Sequence, residues 1–382
     1  MSKVRLGDIA EVITKGTTPT SLGYEFKESG INFIKIESIT ESGCFISDKF
    51  AHISSECHYA LKRSQLKKND VLFSIAGAIG RVGIVDDSIL PANTNQALAI
   101  IRIPDGVIDY NYLFYYLHSN TISQQYNRKK QGVAQINLSL NDISNFEIEL
   151  PSINEQRRIA NNLDKAITLI LSDKKRLAKL DELVKSRFME MFGYPVSNSK
   201  HWKTEFMNDV APSNNYDGII DEDVWLLNLD MIESQTGRII EYRYVKKKDI
   251  NNSTCSFDTS NVLYSKLRPY LNKVVIPDRA GYATSELIPL QPDKTKLNRD
   301  YFAFMLRSDE FVSLINEKVA GAKMPRVSMT DFKKFSVPIP PIELQNQFAD
   351  FVTKVEQQKA TVQKSIEKLD TLKKSLMQEY FG

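Results

Sequence analysis

The side chains of this sequence that could do chemistry lie mainly in polar loops, and their types suit contact with nucleic acid. Lys and Arg bind phosphates or guanine, and the amides of Asn and Gln form paired hydrogen bonds with adenine. In the first half of the chain the candidates for DNA contact are Lys15, Thr17, Thr18, Arg81, Asn93, Asn95, Gln96, Lys129, Lys130 and Gln135. In the second half they are Lys266, Arg268, Tyr270, Lys273, Lys323 and Arg326. Because any globular protein has solvated polar loops, residue types alone leave ordinary surface loops as an open alternative.

The sequence lacks the common motifs of catalysis. It has no GxxxxGK[ST], GxSxG, HExxH or CxxC motif, and IPPI at 339–342 does not match the Asn/Asp-Pro-Pro-aromatic motif of DNA methyltransferases. Cys44, His52, Cys57 and His58 are close in sequence, but adjacent Cys57 and His58 would enter one tetrahedral shell with difficulty. We therefore expect this chain to supply no catalytic residue and no metal site.

Length and composition predict a protein of at least two domains. The chain has 382 residues, of which 42% are hydrophobic and 25% charged, and its net charge is +3. Such a mildly basic balance neither requires nor excludes nucleic acid. The three cysteines form no disulfide framework, the N-terminus has no secretory apolar segment, and no apolar run approaches the ~20 residues that cross a bilayer. These features predict a cytoplasmic protein without membrane contact.

The sequence is an internal duplication. PSINEQRRI at 151–159 aligns without a gap with PPIELQNQF at 340–348, a shift of 189 residues (340 − 151), and Gln156 matches Gln345. Both copies then end in similar triplets, MFG and YFG. Self-similarity of this kind indicates repeated structural units. It predicts four regions: a first domain at 1–150, a helical region at 151–193, a second domain at 194–339 and a second helical region at 340–382.

Each copy ends in a segment with the pattern of a long amphipathic helix. Its apolar residues recur at steps of three and four, and because 189 is a multiple of seven both copies hold the same heptad register. A helix over about 154–191 would be on the order of 57 Å long, too long to bury its apolar stripe on a small domain. We predict that the two helices pair as an antiparallel coiled coil, and packing of each helix on its own domain remains the alternative. The residues expected to hold this pair or to dock a partner are Gln156, Leu163, Ile170, Leu177, Leu180, Val184, Gln345, Val352, Val355, Ile366, Leu369 and Leu376.

The two large regions combine strand and helix patterns. VLFS at 71–74 and its copy VLYS at 262–265 are typical of short strands, and NFEIEL at 145–150 alternates as a half-buried strand does. The segments 110–126 and 299–315 have a helical pattern, and their aromatic side chains are expected in the core. The predicted fold class is α+β, with two tandem mixed α/β domains, each followed by a long helix, as a pseudo-two-fold internal repeat.

These features resemble the specificity subunit of type I restriction–modification systems. The resemblance rests on the P-x-x-x-x-Q phrase that twice opens a long helix, and on ITKGTTP at 13–19 followed by INFIKIESI at 31–39. The passage GVAQINLSLNDISNFEIELPSINEQ at 132–156 is also similar to the family's transition from recognition domain to helix. The second copy departs from the first at Leu344, where the first has Glu155. The resemblance covers essentially the whole chain.

The resemblance implies a non-catalytic subunit of a DNA methyltransferase and endonuclease complex. Each large region would be a target recognition domain that reads one half of a bipartite sequence in double-stranded DNA. The helix pair would set the spacer between the halves and dock methyltransferase (modification) subunits, with restriction or translocase subunits as further partners. The modification subunit would bind S-adenosylmethionine and methylate adenine, so this chain would hold no cofactor. Gln156 and Gln345 are candidates for fixing the junction between domain and helix, or for a partner contact.

Other functions stay open at this point. The chain would also suit the recognition subunit of another type of restriction–methylation enzyme. A symmetric protein-binding scaffold without DNA contact would use the same helices without using the polar loops. An orphan nuclease or methyltransferase disagrees with the missing motifs.

Overall fold

The chain folds into two compact units. The computed structural model describes residues 3–128, 137–251, 253–317, 319–320 and 325–382. The first unit consists of Met1–Lys174 and Lys364–Gly382, and the second of Lys175–Gln363. Each unit thus contains one mixed α/β domain and half of each long helix. We call these domains the first head (residues 3–150) and the second head (residues 194–339).

The first head is built from two sheets and a strand pair. Its strands are β1 (Lys3–Arg5), β2 (Val12–Lys15), β3 (Ile31–Ile34), β4 (Ala51–Ile53), β5 (Val71–Ser74), β6 (Val82–Ile84), β7 (Ala92–Thr94), β8 (Leu98–Arg102) and β9 (Glu147–Glu149). Its helices are α1 (Leu6–Ile9), α2 (Ser55–Ala60), α3 (Tyr110–Leu117), α4 (Asn120–Asn127) and α5 (Leu140–Ser144), and the long helix α6 (Ile153–Phe192) follows. The sheets have the strand orders β2-β8-β5-β6 and β4-β3-β7, and β1 pairs with β9.

The second head repeats this composition. Its strands are β10 (Thr204–Phe206), β11 (Asp223–Leu227), β12 (Arg243–Lys246), β13 (Thr254–Phe257), β14 (Val262–Ser265), β15 (Val274–Val275), β16 (Gly281–Thr284), β17 (Leu287–Leu290), β18 (Val319–Ala320), β19 (Arg326–Val327) and β20 (Ser336–Pro338). Its helices are α7 (Met207–Val210), α8 (Arg299–Arg307), α9 (Asp309–Glu317) and α10 (Met329–Lys333), and the long helix α11 (Ile342–Phe381) follows. The sheets have the orders β12-β11-β16-β13 and β15-β14-β17, and the strand pairs are β10-β20 and β18-β19.

The two heads share one strand plan, which confirms the predicted duplication and fold class. β3 runs antiparallel to β4 and parallel to β7, as β11 does to β12 and β16. β5 lies between β6 and β8, as β14 lies between β15 and β17. β1 pairs with β9, and β10 with β20, so in each head the first strand is tied to the strand that precedes the long helix. The heads differ at β13, which adds a further strand beside β16, and at the additional pair β18-β19. They also differ at β2, which pairs with β8, whereas in the described part of the second head β17 has only a single bridge from Ser213 to Leu290 at that place.

The apolar run of β5 shows why the sequence forms these strands. Val71 and Phe73 belong to the core cluster that includes α3, whereas Leu72 belongs to a second cluster. Successive side chains of a strand point to opposite faces of the sheet, so a strand covered on both faces is apolar throughout. VLFS is accordingly buried along its whole length.

The long helices α6 and α11 pair in antiparallel fashion within each unit, as predicted. In the first unit the Asn162 amide Nδ2 donates to the hydroxyl of Tyr380 at 3.1 Å. In the second unit Lys359 Nζ lies 2.8 Å from Asp181 Oδ1. Asn162 lies near the start of α6 and contacts Tyr380 near the end of α11. Asp181 lies further along α6 and contacts Lys359, which comes earlier in α11. Contacts that advance along one helix and go back along the other are those of antiparallel neighbours.

The predicted seam residues are mostly buried, and several of them also contact a head. Leu163 is part of the first head's core, and Leu180 and Val352 are part of the second head's core. The two packing alternatives, helix on helix and helix on domain, are therefore realised together. The buried seam residues are Leu163, Ile170, Leu180, Val184, Val352, Val355 and Ile366. The half-buried ones are Leu177, Leu369 and Leu376.

Cys44, Cys57 and Cys255 are all free. Along the described residues, no helix combines the length and the apolarity that crossing a lipid bilayer requires.

Candidate nucleic-acid interface

Five of the predicted DNA-contact residues meet at one edge of the first head. The backbone N–H of Gly16 donates to the carbonyl of Asn95 at 3.1 Å, and the Thr18 hydroxyl donates to Gln96 Oε1. A Cβ atom at position 16 would lie 1.8 Å from the carbonyl oxygen of Thr94, so only glycine allows the two loops to approach so closely. The residues brought together are Lys15, Thr17, Thr18, Asn95 and Gln96, and we call them the first polar edge.

The side chains of this edge differ in how far they are available. Lys15 and Gln96 are exposed. Thr17, Thr18 and Asn95 are half-buried, and Asn95 Oδ1 accepts the N–H of Ala97 at 3.1 Å. The edge therefore offers the ammonium group of Lys15, which suits contact with a phosphate. It also offers amide and hydroxyl groups, which suit contact with bases.

The second head also has a polar edge, which lies after β14 and β16, the counterparts of β5 and β7. The N–H of Arg268 donates to the carbonyl of Pro325 at 2.8 Å, and the N–H of Lys266 donates to the carbonyl of Glu286 at 3.0 Å. Arg326 contacts the Glu286 carboxylate through Nη2 at 2.7 Å and Nε at 3.3 Å. Tyr270 is 47% exposed. We call Lys266, Arg268, Tyr270 and Arg326 the second polar edge.

Arg81 and Lys273 correct the sequence prediction, because their cationic groups bond to the protein's own backbone. Arg81 Nη1 donates to the carbonyls of Ile36 and Ile39 at 3.2 and 3.1 Å. Lys273 Nζ donates to the carbonyl of Leu229 at 2.6 Å, and burial lowers the pKa of this ammonium group. The two residues follow corresponding loops and hold corresponding short 3-10 turns, Ile36–Ser38 and Leu229–Met231. Both serve the architecture of their head.

Asn93 is a second correction. Its side chain has no exposed surface. The amide Nδ2 donates to the Leu61 carbonyl at 3.1 Å and to Ser64 Oγ at 3.0 Å, while Oδ1 faces His58 Nδ1. A buried amide whose polar atoms are all engaged cannot reach a base, so Asn93 holds the end of β7 in place.

Four candidates remain sequence predictions. Lys129, Lys130, Gln135 and Lys323 lie outside the described residues.

Two residues at the second polar edge were missed by the sequence analysis. Glu286 pairs with Arg326, whose hydrogen bonds lower the pKa of that carboxyl. The match of NTNQALAI with YATSELIP, in which Glu286 stands opposite Ala97, could have pointed to it. Gln235 donates from Nε2 to the Tyr270 carbonyl at 2.9 Å, and no pattern in the sequence marks it.

Gln156 and Gln345 lie at the junctions between head and helix, and both are buried. Gln156 Oε1 accepts the N–H of Asp109 at 2.8 Å, and its Nε2 donates to the carbonyl of Pro151 at 2.9 Å. Gln345 makes the equivalent bonds to Asn298 N–H and the Pro340 carbonyl, both at 2.8 Å. Because these two side chains are 1% and 0% exposed, their amides are not available for contact with a partner protein, which excludes that alternative. Their hydrogen bonds instead fix the junction between head and helix.

Other parts of the helices remain on the surface. Leu183 and Leu372 are each 48% exposed and occupy matching positions of the repeat. Among the residues that the structure describes, no three His, Cys, Asp or Glu side chains are placed to hold a metal ion.

A family model matches both halves of the chain. The model describes the type I restriction modification DNA specificity domain, and it matches residues 1–182 and 196–371. These two segments contain the first head, nearly all of the second head and most of the two helices.

Curated relatives carry the same description. The chain is 23% identical over 261 residues to the type I restriction enzyme EcoDI specificity subunit of Escherichia coli, covering 59% of this chain and 58% of that protein. It is 28% identical over 201 residues to the Escherichia coli EcoBI specificity subunit, covering 51% of this chain and 41% of that protein. The matched part is thus about half the length of these two relatives. With the MjaIX specificity subunit of Methanocaldococcus jannaschii, the chain is 22% identical over 405 residues, covering 98% of this chain and 90% of that protein.

Solved structures have the same fold. One is a chain from a study of complex assembly and conformational transition of a type I R-M system, with a TM-score of 0.65 and 17% identity, covering 100% of this chain and 97% of that one. Another is the HsdS subunit from Thermoanaerobacter tengcongensis, with a TM-score of 0.51 and 17% identity, covering 100% and 96%. At such low identity, this similarity concerns the fold.

Proposed function

Because this chain belongs to the family of type I restriction modification DNA specificity domains, we propose that it is the DNA sequence-specificity subunit of a type I restriction–modification complex. The double match carries the proposal, since the same DNA specificity model matches two segments that fold on one strand plan. Two copies of one recognition domain suit a target in two parts. Each head is proposed to read one half of a bipartite sequence in double-stranded DNA.

The two polar edges support this assignment and suggest that the half-sites differ. The first edge contains the amides of Asn95 and Gln96 and the hydroxyls of two threonines, whereas the second contains the guanidinium groups of Arg268 and Arg326. Since Asn and Gln favour adenine and Arg favours guanine, we propose different base preferences for the two heads.

The catalytic steps are proposed to belong to partner subunits. Modification subunits would dock on the helices α6 and α11, where Leu183 and Leu372 are exposed. They would bind S-adenosylmethionine and methylate adenine, and a restriction or translocase subunit would complete the complex. This chain would supply recognition and bind no cofactor itself. We place its work in the cytoplasm, where it has access to chromosomal DNA.

Methylome sequencing tests the proposal. Cells that express this chain with its modification subunits should show adenine methylation at one two-part sequence with a fixed spacer, and cells without this chain should lack it. A purified complex should then methylate an oligonucleotide with that sequence and spare one in which either half is scrambled. Methylation that ignores both halves would contradict the proposal and favour a protein scaffold.

A further inference from the structure

We infer that Gln156 and Gln345, together with two buried tyrosines, are positioning residues that determine which spacer between the half-sites is accepted. This inference rests on the function proposed above. It concerns how each head is held on the helices of its own unit, rather than how its loops contact bases.

Each glutamine joins three pieces of its unit through one side chain. Gln156 stands in the first turn of α6, accepts the N–H of Asp109 at the start of α3, and donates to Pro151, which leads out of β9. Gln345 repeats this in α11, with Asn298 at the start of α8. Its Nε2 also donates to the carbonyl of Lys296 at 2.9 Å.

A buried tyrosine adds a second tether between the same pieces. The Tyr112 hydroxyl of α3 donates to the carbonyl of Glu149 in β9 at 2.9 Å. The Tyr301 hydroxyl of α8 donates to the carbonyl of Pro338 in β20 at 3.1 Å. Both tyrosines are 1% exposed.

All of these residues recur at the same shift along the chain. Each residue of the first unit is separated by 189 from its counterpart in the second, and we call each set a junction clamp. The first clamp is Asp109, Tyr112, Glu149, Pro151 and Gln156, and the second is Asn298, Tyr301, Pro338, Pro340 and Gln345. By contrast, the polar edges carry different residues in the two heads. The chain thus keeps the attachment of the head constant while the DNA-contact loops diverge.

The chemistry of the clamp suits orientation more than adhesion. Apolar burial is itself non-directional, so the hydrogen bonds of the clamp add directional constraints to those of close packing. Hydrogen bonds weaken steeply when their angles depart from linearity, and buried polar atoms without partners are costly. A network of buried bonds among helix, strand exit and α3 or α8 therefore permits one orientation of the head.

A fixed orientation has a consequence for the spacer. The base pairs of duplex DNA are about 3.4 Å apart, so a small rotation of a head about its helix would move its polar edge by a base-pair step. Loss of the clamp should therefore broaden the range of spacers that the complex accepts, whereas loss of a base contact should change the preferred bases.

The experiment compares methylation rates on targets that differ only in the spacer. The complex with modification subunits is assayed on the motif found by methylome sequencing and on versions whose spacer is one base pair shorter or longer. Two variants, Gln156→Met and Gln345→Met, remove the amides with little change in length, and Tyr112→Phe and Tyr301→Phe remove only the hydroxyl groups. We expect the wild type to favour the native spacer strongly, and the variants to lose about tenfold of that preference, on the scale of a lost buried hydrogen bond.

Matched controls separate orientation from stability. Ile122→Val and Ile315→Val weaken the buried core of one head each without touching a clamp, and they should keep the wild-type spacer preference even where the melting temperature falls. Clamp variants that melt earlier but keep the wild-type preference would overturn the positioning role alone. A wild-type complex that accepts every spacer would contradict the proposed function as well.

Discussion

At the scale of single residues, the partners that a polar atom already has decide whether it is available for DNA. Asn93 and Gln96 belong to one polar tetrapeptide, NTNQ, and look alike in the sequence. In the structure β7 includes Asn93 and Thr94, so Asn93 is buried among α2 and its following turn, whereas Gln96 lies beyond the strand and is exposed. The sequence predicted the position of the loop to within two residues. This difference of two residues separates the buried, structural Asn93 from the exposed Gln96, which is a candidate for DNA contact.

Asn93 and Gln96 allow a direct test of this distinction. Asn93→Ala removes the buried hydrogen bonds of this amide to the Leu61 carbonyl, Ser64 and His58, so the free energy of unfolding should fall by about 1–3 kcal/mol. Gln96→Ala should leave that free energy nearly unchanged and reduce affinity for the target. Chemical denaturation and DNA-binding titrations of both variants measure the two effects. The opposite assignment of effects would show that Asn93 contacts DNA and that Gln96 is structural.

Arg268 should behave as a DNA-contact residue of the second polar edge. Its guanidinium group is exposed, and its removal in Arg268→Gln should lower affinity by about tenfold and reduce the slope of log affinity against log salt by about 1. Fluorescence anisotropy at several salt concentrations measures both. Lys248→Gln, which removes an exposed charge from the 3-10 turn Lys247–Asp249, is the matched control and should have little effect. Equal losses in both variants would indicate attraction by net charge alone.

Glu286 should make the stability of the second head sensitive to acid. Arg326 donates to this carboxylate and lowers its pKa below the ordinary value of a glutamate. A group whose folded pKa is depressed contributes stability above its unfolded pKa and loses that contribution as the pH falls through the folded pKa. The contribution should be small, because Arg326 is half exposed. Melting curves of the wild type and Glu286→Gln should therefore differ near neutral pH and converge in acid, and a constant difference would contradict this account.

At the scale of elements, the sequence predicts what depends on periodicity and misses what depends on contacts between distant segments. The heptads predicted α6 and α11, and VLFS and VLYS predicted β5 and β14, because burial on a known face imposes a repeating pattern. The junction clamps could not be predicted, because the bond from Asp109 to Gln156 joins residues 47 positions apart with no periodic relation. Only the matching shift of 189 hinted that the two glutamines share a role.

The burial of the helix seam predicts a contrast between two leucines of α6. Leu163 is fully buried in the core of the first unit, and Leu163→Ala should lower the free energy of unfolding by about 2–5 kcal/mol. Leu183 is 48% exposed, so Leu183→Ala should change the free energy of unfolding by less than about 0.5 kcal/mol. Leu183→Ala should instead weaken binding of the modification subunits. Thermal denaturation and co-purification measure the two effects, and a large loss of stability from Leu183→Ala would contradict the assignment of this face to a partner.

At the scale of the whole molecule, the duplication is visible in the boundaries of the units as well as in the heads. The boundary in α6 falls after Lys174 and the boundary in α11 falls after Gln363, again a difference of 189 residues. Each helix is therefore divided at the same point of the repeat, and each half belongs to a different unit. This arrangement suits a spacer device, since the helices are the segments that run continuously from one unit into the other.

A seven-residue insertion at both boundaries tests the spacer device. One added heptad after Lys174 and one after Gln363 would keep the apolar seam in register and lengthen the helices by about 10.5 Å, which is about three base pairs of duplex. We expect the preferred spacer in a methylation assay to increase by about that amount. Four residues inserted in α6 alone would turn its seam away from α11, and that variant should lose activity on every spacer. A heptad-inserted protein that remains active on the original spacer would show that the helices do not set the distance between the half-sites.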